Sequence, residues 1–284
     1  MIINRVKLSG FNYPEVNSDY FFKSGLNIIC GGNVTGKSTI INSIVSGFSA
    51  ETFDELWDGF QYYILEYNQD AIITIQFQLQ QASYCLTKKI QKNGFECQIH
   101  LIDEQGEKSQ VCEGTEAMGL AKQFSKDIFL IDGSAIDFFR GGGYYPFILE
   151  KLGNDGQSMP EFQNILNELW LEYGSNRIGL QARFLEGRIE LIDYKGSIHY
   201  PNLGTASMFS LFSLFALAKM NKLPPIIITE DEWWRHIDHE RREAVAHLLS
   251  ALGEVVASQT IVGLHSQHRD SFDAGQITIE LGRR

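Results

Sequence analysis

The sequence predicts an α/β fold organised around a phosphate-binding loop, and three observations lead to that prediction. First, the apolar run Leu26-Asn27-Ile28-Ile29-Cys30 leads into Gly31-Gly32-Asn33-Val34-Thr35-Gly36-Lys37-Ser38-Thr39, which fits G-x-x-x-x-G-K-[ST]. Second, Ile40-Ile41-Asn42-Ser43-Ile44-Val45 follows directly and reads as a helix, so the motif sits in the strand, loop and helix context that it requires. Third, Pro224-Pro225-Ile226-Ile227-Ile228-Thr229 is another apolar strand, and it runs into the acids Glu230-Asp231-Glu232. A strand ending in two carboxylates at the carboxyl edge of a parallel sheet can place one on Mg²⁺ and the next on an attacking water.

The elements follow in chain order. Residues 1 to 30 read as two strands around a turn-rich link, Gly10-Phe11-Asn12-Tyr13-Pro14. In the loop, Gly31, Asn33, Thr35, Gly36 and Thr39 form the cradle, with backbone N–H groups turned inward and the positive end of the helix dipole behind them. Lys37 reaches the β- and γ-phosphates of a nucleotide, and the Ser38 hydroxyl holds Mg²⁺. From about 71 to 112 the pattern turns to short alternating segments with Asn93-Gly94 between two of them, which predicts an antiparallel sheet with a hairpin. Asp127 to Asp132 reads as an apolar strand. Arg140-Gly141-Gly142-Gly143-Tyr144-Tyr145-Pro146 reads as a loop. That loop lies in a helical insertion over about 138 to 175, whose helix runs from Met159 to Tyr173, and a hairpin from Arg177 to Asp193 turns at Glu186-Gly187. The stretch from Met208 to Lys219 is apolar nearly all round, which predicts a helix buried in the core. All of this is read as one domain, 1 to 284.

Composition narrows the function classes. A formal net charge of -11 argues against holding bare nucleic acid through a broad basic face, although a local basic strip stays open. No apolar run approaches the ~18 residues that cross a bilayer, and the start is unlike a signal peptide, so a cytoplasmic protein without membrane partners is expected. Cys30, Cys85, Cys97 and Cys112 lack C-x-x-C spacing and fall in strand-like stretches, as reduced core residues do. The histidine pairs His236 with His239 and His265 with His268 have helical i, i+3 spacing, but each lies in a segment that nucleotide chemistry already explains.

The alternating first strand, Gly10-Phe11, and a strand carrying Gly25-Leu26-Asn27-Ile28-Ile29 into the loop resemble the amino terminus of RecF, SMC and OLD-type ATPases. These form the DNA-metabolism branch of the ABC-type ATPases, here in a compact version without room for coiled-coil arms. The resemblance implies ATP and Mg²⁺ as ligands, with Asp231 on the metal and Glu232 as general base. A register one residue earlier, Glu230 and Asp231, stays open. It further implies Asp238 as the D-loop aspartate and His265, in Gln259-Thr260-Ile261-Val262-Gly263-Leu264-His265-Ser266, as the switch histidine that contacts the γ-phosphate. Asp132 stands nearest to the family's metal-contacting glutamine. The signature loop corresponds to Leu203-Gly204-Thr205-Ala206-Ser207-Met208 at a helix start, with Gly204 and Ala206 departing from the pattern, so Thr205 and Ser207 are left to meet phosphate. The expected function is an Mg²⁺-dependent ATPase that dimerises on ATP, as a homodimer, and serves DNA repair or anti-phage defence through a protein effector. A nucleotide-gated regulatory subunit with poor hydrolysis is the alternative.

Overall fold

The computed structural model describes residues 1–11, 16–49, 70–91, 94–131, 144–153, 157–173, 181–185, 188–199, 203–222, 226–229, 237, 242–243, 245–250, 259–272 and 277–282. In chain order its elements are β1 (Ile2–Ser9), β2 (Asp19–Phe21), β3 (Gly25–Gly31), α1 (Lys37–Phe48), β4 (Ala71–Leu79), β5 (Ala82–Gln91), β6 (Gly94–Ile102), β7 (Lys108–Glu113), α2 (Gly114–Ser125) and β8 (Ile128–Ile131). There follow α3 (Tyr144–Leu152), α4 (Met159–Tyr173), β9 (Gln181–Leu185), β10 (Arg188–Ile192), β11 (Ile198–His199) and α5 (Leu203–Lys219). The chain closes with β12 (Ile226–Thr229), β13 (Gln259–His265), a 3₁₀ helix (Ser266–Ser271) and β14 (Ile277–Leu281). Two compact units result: Met1–Leu130 with Pro225–Thr229 and Ser258–Arg284, and Ile131–Pro224 with Glu230–Ala257.

The first unit holds two sheets. One is five-stranded, ordered β14-β3-β13-β12-β8, with β3 parallel to both of its neighbours and β12 parallel to β13. Every residue of β3 is buried, as a central strand covered on both faces requires, which is why the run before the loop shows no polar alternation. The other is six-stranded and antiparallel, ordered β2-β1-β4-β5-β6-β7. Its inward rows, such as Val6, Ile75, Leu86 and Ile99 in register, are buried and pack in one core with Ile40, Ile41, Ile44 and Phe48 of α1. Gly47 lets α1 approach closely, since a Cβ there would stand 2.4 Å from Ile75 Cδ1. Phe77 gathers Phe48, Phe124 and Tyr84 around it, with ring centroids at 5.2, 5.1 and 5.5 Å. Two buried amides tie the strands together: Gln259 accepts from Ile3 N at 2.9 Å and donates to Ile3 O and Lys23 O, and Asn27 accepts from Lys23 N and donates to Lys23 O.

In the second unit α4 carries Phe162, Leu166, Leu169 and Trp170 on its buried face, at the spacing that predicts an amphipathic helix. Trp170 stacks on Phe209 of α5 at 4.2 Å and meets Phe212 edge-on at 5.6 Å. Among the described residues no helix is long and apolar enough to cross a membrane.

Several sequence expectations are corrected. Tyr144 to Pro146 open a helix instead of continuing the loop, because a proline in the first turn lacks only an N–H that would have no intrahelical partner. The helix expected from Met208 starts at Leu203, so the stretch read as a signature loop is its opening. Residues 1 to 30, read as two strands, contain three, because the short edge strand β2 comes before β3. Gln91 pairs with Gly94, so the β5–β6 connection is residues 92 and 93, one position before the expected turn. The expected turn at Glu186-Gly187 lies outside the described residues, between β9 and β10, which pair antiparallel.

Candidate functional site

The loop between β3 and α1 carries its backbone in conformations that most side chains avoid. Gly36, at the amino end of α1, is left-handed with φ 92° and ψ 12°, and Val34 also has a positive φ of 61°. A β-branched residue in that region is an outlier held by its surroundings, and such strain gathers at ligand-binding loops. Val34 is 76% exposed, so no packing of its own side chain explains the conformation. Ile40 N donates to Gly36 O at 3.0 Å, which starts the helix ladder at the glycine and leaves the N–H groups before it turned to the loop.

Lys37 is only 6% exposed. Its Nζ donates to Gly31 O at 3.1 Å and to Gly32 O at 2.7 Å, so the ammonium lies folded onto the loop from within. Thr35 Oγ1 donates to Gly32 O at 3.0 Å and closes the loop at its other side. A Cβ on Gly31 would stand 2.5 Å from that hydroxyl oxygen, so glycine is required where the strand gives way to the loop. Ser38 is half-buried, Thr39 is buried and Asn33 is exposed at the loop surface. A curled main chain, the N–H groups of a helix start and a buried ammonium make a set of donors that fits a polyphosphate.

Neighbouring strands bring in the rest of the described site. Gly31 is the register partner of His265 on β13 and of Leu281 on β14, so His265 stands level with the first glycine of the loop. His265 Nδ1 accepts from Gln267 N at 3.2 Å, which caps the 3₁₀ helix. The neutral ring then carries its proton on Nε2 and can donate there. The rings of His265 and His268 are 6.2 Å apart, and His268 is buried against Gln267, 2.9 Å from its side-chain nitrogen. Among the described residues no group of three or more His, Cys, Asp or Glu could hold a metal ion.

On the side of β12, Thr229 is fully buried and its hydroxyl has no hydrogen-bond partner among the described residues. The acids Glu230, Asp231 and Glu232 follow it in sequence, and they lie outside the described residues, as do Asp132 and Asp238. Thr205 and Ser207 belong to α5 in the second unit. Sequence reading missed β14, whose Leu281, with Gly282 directly after it, walls the loop: a Cβ on Gly282 would stand 3.1 Å from Thr35 Cγ2. The alternation of Ile277, Ile279 and Leu281 before a glycine is a strand signal that could have found it.

No protein-family model matches the sequence, and neither does any curated protein. Solved structures do. The chain is similar to an Smc head bound to the C-winged helix domain of ScpA, with a TM-score of 0.71 and 17% identity over 94% of this chain and 90% of that one. It is similar to the SMC head domain of Thermotoga maritima, with a TM-score of 0.60 and 18% identity over 96% and 93% of the two chains. The Smc head domain with an extended coiled coil bound to the C-terminal domain of ScpA, derived from Pyrococcus furiosus, gives a TM-score of 0.64 and 15% identity over 95% and 91%. The chain therefore has the fold of an SMC head, which is the ABC-type ATPase fold.

Proposed function

We propose that this chain is an Mg²⁺-dependent ATPase subunit that binds ATP in the loop between β3 and α1 and pairs with a second copy when ATP is bound. The observation that carries the reading is the buried Lys37 ammonium, held by Gly31 O and Gly32 O inside a loop with left-handed Gly36. A buried ammonium donating to loop carbonyl oxygens at a helix start is placed where an anionic ligand can exchange for those carbonyls.

Each residue then has a role. Loop N–H groups from Gly31 to Thr39 donate to phosphate oxygens, with Asn33, Thr35 and Gly36 shaping the path of the chain. Lys37 supplies the point charge at the β- and γ-phosphates. Ser38, Asp231 and Asp132 would hold Mg²⁺, which would supply neutralisation of the charge on the phosphates. Glu232 takes a proton from the attacking water. His265 donates from Nε2 to the γ-phosphate, and Asp238, Thr205 and Ser207 complete the site of the second copy. The adjacent register, with Glu230 on the metal and Asp231 as base, predicts the same phenotypes one residue earlier.

The fold supports a protein that works through another, since two of the similar SMC heads are bound to ScpA domains. We infer a cytoplasmic role in DNA repair or anti-phage defence through a protein effector. A second reading has its own support. The stretch Leu203–Met208, with Gly204 and Ala206 at the positions where the family carries its serine and glycine, is helical from its first residue. That favours a nucleotide-gated regulatory subunit that turns ATP over slowly.

One experiment separates the readings. Phosphate release by the wild type is compared with Glu232→Gln, which should keep ATP binding, slow turnover about a hundredfold or more and accumulate as a dimer on light scattering with ATP. A wild type that binds ATP without measurable turnover selects the regulatory subunit. A Glu232→Gln protein that stays monomeric with bound ATP removes the ATP-dependent pairing, and wild-type turnover in Glu232→Gln with loss in Asp231→Asn moves the register.

A further inference from the structure

The core of the antiparallel sheet contains a lysine that the nucleotide chemistry leaves unused. Lys88 stands on the inward face of β5, opposite Ile73 of β4 and Cys97 of β6, and it is 0% exposed. Its Nζ donates to Ser46 O at 2.9 Å and to Ser49 O at 3.0 Å. The same nitrogen lies 4.8 Å from the centroid of the Phe95 ring, close enough for a cation–π contact. Ser46 and Ser49 form the carboxyl end of α1, where Ser49 N turns back to Val45 O and Ser46 O.

The last carbonyls of a helix have no intrahelical donor and carry the negative end of its dipole, so a cation there is favoured. No basic residue occurs in the last turn of α1 itself. The sheet supplies one through Lys88. The amino end of the same helix begins at Gly36 and Lys37, in the phosphate-binding loop. Twelve residues place the two ends about 18 Å apart on one rigid rod. Gly47 seats the Lys88 end against Ile75, so that end can move little while its carbonyls remain bonded.

We propose that Lys88 is a positioning residue for nucleotide binding: from the far end of α1 it fixes where the helix lies along the sheet, and so where the loop N–H groups and Lys37 meet phosphate. The inference rests on the nucleotide reading of the loop. Donor groups that bind a polyphosphate must be held within about 0.5 Å of the productive geometry. A neutral apolar side chain at 88 would leave the buried Ser46 and half-buried Ser49 carbonyls without this donor, and the last turn of α1 would shift or unwind to reach others. Coupling is reciprocal, so nucleotide at the amino end must in turn strengthen the carboxyl end.

The test is titration of Mg-ATP into wild type, Lys88→Met and Lys88→Gln, at a temperature where each is folded by circular dichroism. Ile99→Ala, in the same sheet but on the strand that α2 covers, is the control for general loss of core packing. The Met variant should bind roughly tenfold more weakly, the Gln variant, which keeps a donor, should recover part of that loss, and the control should stay within about twofold of wild type. Equal affinity in Lys88→Met and wild type, or an equal loss in Ile99→Ala, overturns the inference and makes Lys88 a matter of stability alone. A wild type that binds no nucleotide is a different failure, because it removes the phosphate-loop reading and this inference with it. If the Met variant does not fold, amide exchange in the wild type decides: Mg-ATP should slow exchange at the Ser49 amide severalfold, and unchanged exchange there overturns the coupling.

Discussion

Gly31→Ala should damage the loop by an amount that the geometry sets. The new Cβ would stand 2.5 Å from Thr35 Oγ1, 3.1 Å from Leu281 Cβ and 3.3 Å from Leu281 O. The hydroxyl can rotate away only by giving up its bond to Gly32 O, at a cost of about 0.5–1.5 kcal/mol. Leu281 cannot yield as easily, since it is the register partner of Gly31 on the neighbouring strand, and overpacking of that kind costs about 1–3 kcal/mol. The total is roughly 1.5–4.5 kcal/mol, a large part of the stability of a typical domain. Urea unfolding, with amide exchange at β3 as the local readout, measures it. In a Thr35→Ala background the closest contact is gone, so the same substitution should cost less by about 1 kcal/mol, as double-mutant cycles report for touching residues. An equal cost in both backgrounds, or wild-type stability in Gly31→Ala, would refute the packing argument for the loop.

Two further outcomes are expected. A hydrogen bond from Arg5 holds the Asp19 carboxyl below the usual carboxylate range, and one from Lys89 does the same for Asp70. A depressed folded-state pKa contributes stability above the unfolded value, near 4, that is lost as pH falls through the lower folded value, so Asp19→Asn and Asp70→Asn should each flatten the acid limb of an unfolding curve slightly. The effect is small because the side chains are 33% and 40% exposed, and an unchanged acid limb in the double variant would contradict it. All four cysteines are buried thiols outside any disulfide, and burial pushes the Cys97 and Cys112 thiols up, so none should react with a thiol reagent at neutral pH before the protein unfolds. Rapid labelling of Cys97 in the folded protein would show that the sheet opens there.

Local pattern made the loop between β3 and α1 legible, whereas long-range pairing was not. The loop motif was readable because glycine, lysine and serine occur at spacings that a phosphate dictates, and α4 because Phe162, Leu166, Leu169 and Trp170 repeat at helical intervals with large side chains. Helix α2 escaped notice because its buried stripe is Ala117, Ala121 and Phe124, and alanines mark a face weakly. Strand β7 buries only Cys112, since it is the edge of its sheet. Neither the placing of β14 beside the loop nor the use of Lys88 against α1 could be read from sequence: each joins segments far apart in the chain, and a lysine among strand residues looks solvent-facing until its carbonyl partners are seen. The start of α5 was expected at Met208 because Leu203–Met208 was matched to a loop of the resembled family, yet those residues form the helix's first turns, where Gly204 is tolerated.

The central claim is that the buried Lys37 ammonium and its loop form an ATP site. Calorimetric titration of Mg-ATP into wild type and Lys37→Ala tests it most directly. The wild type should bind one ATP per chain with a clear heat, and Lys37→Ala, folded by circular dichroism, should lose tight binding because the phosphates lose their principal point charge. Equal affinity in the two proteins, or no binding by the wild type, would contradict the account.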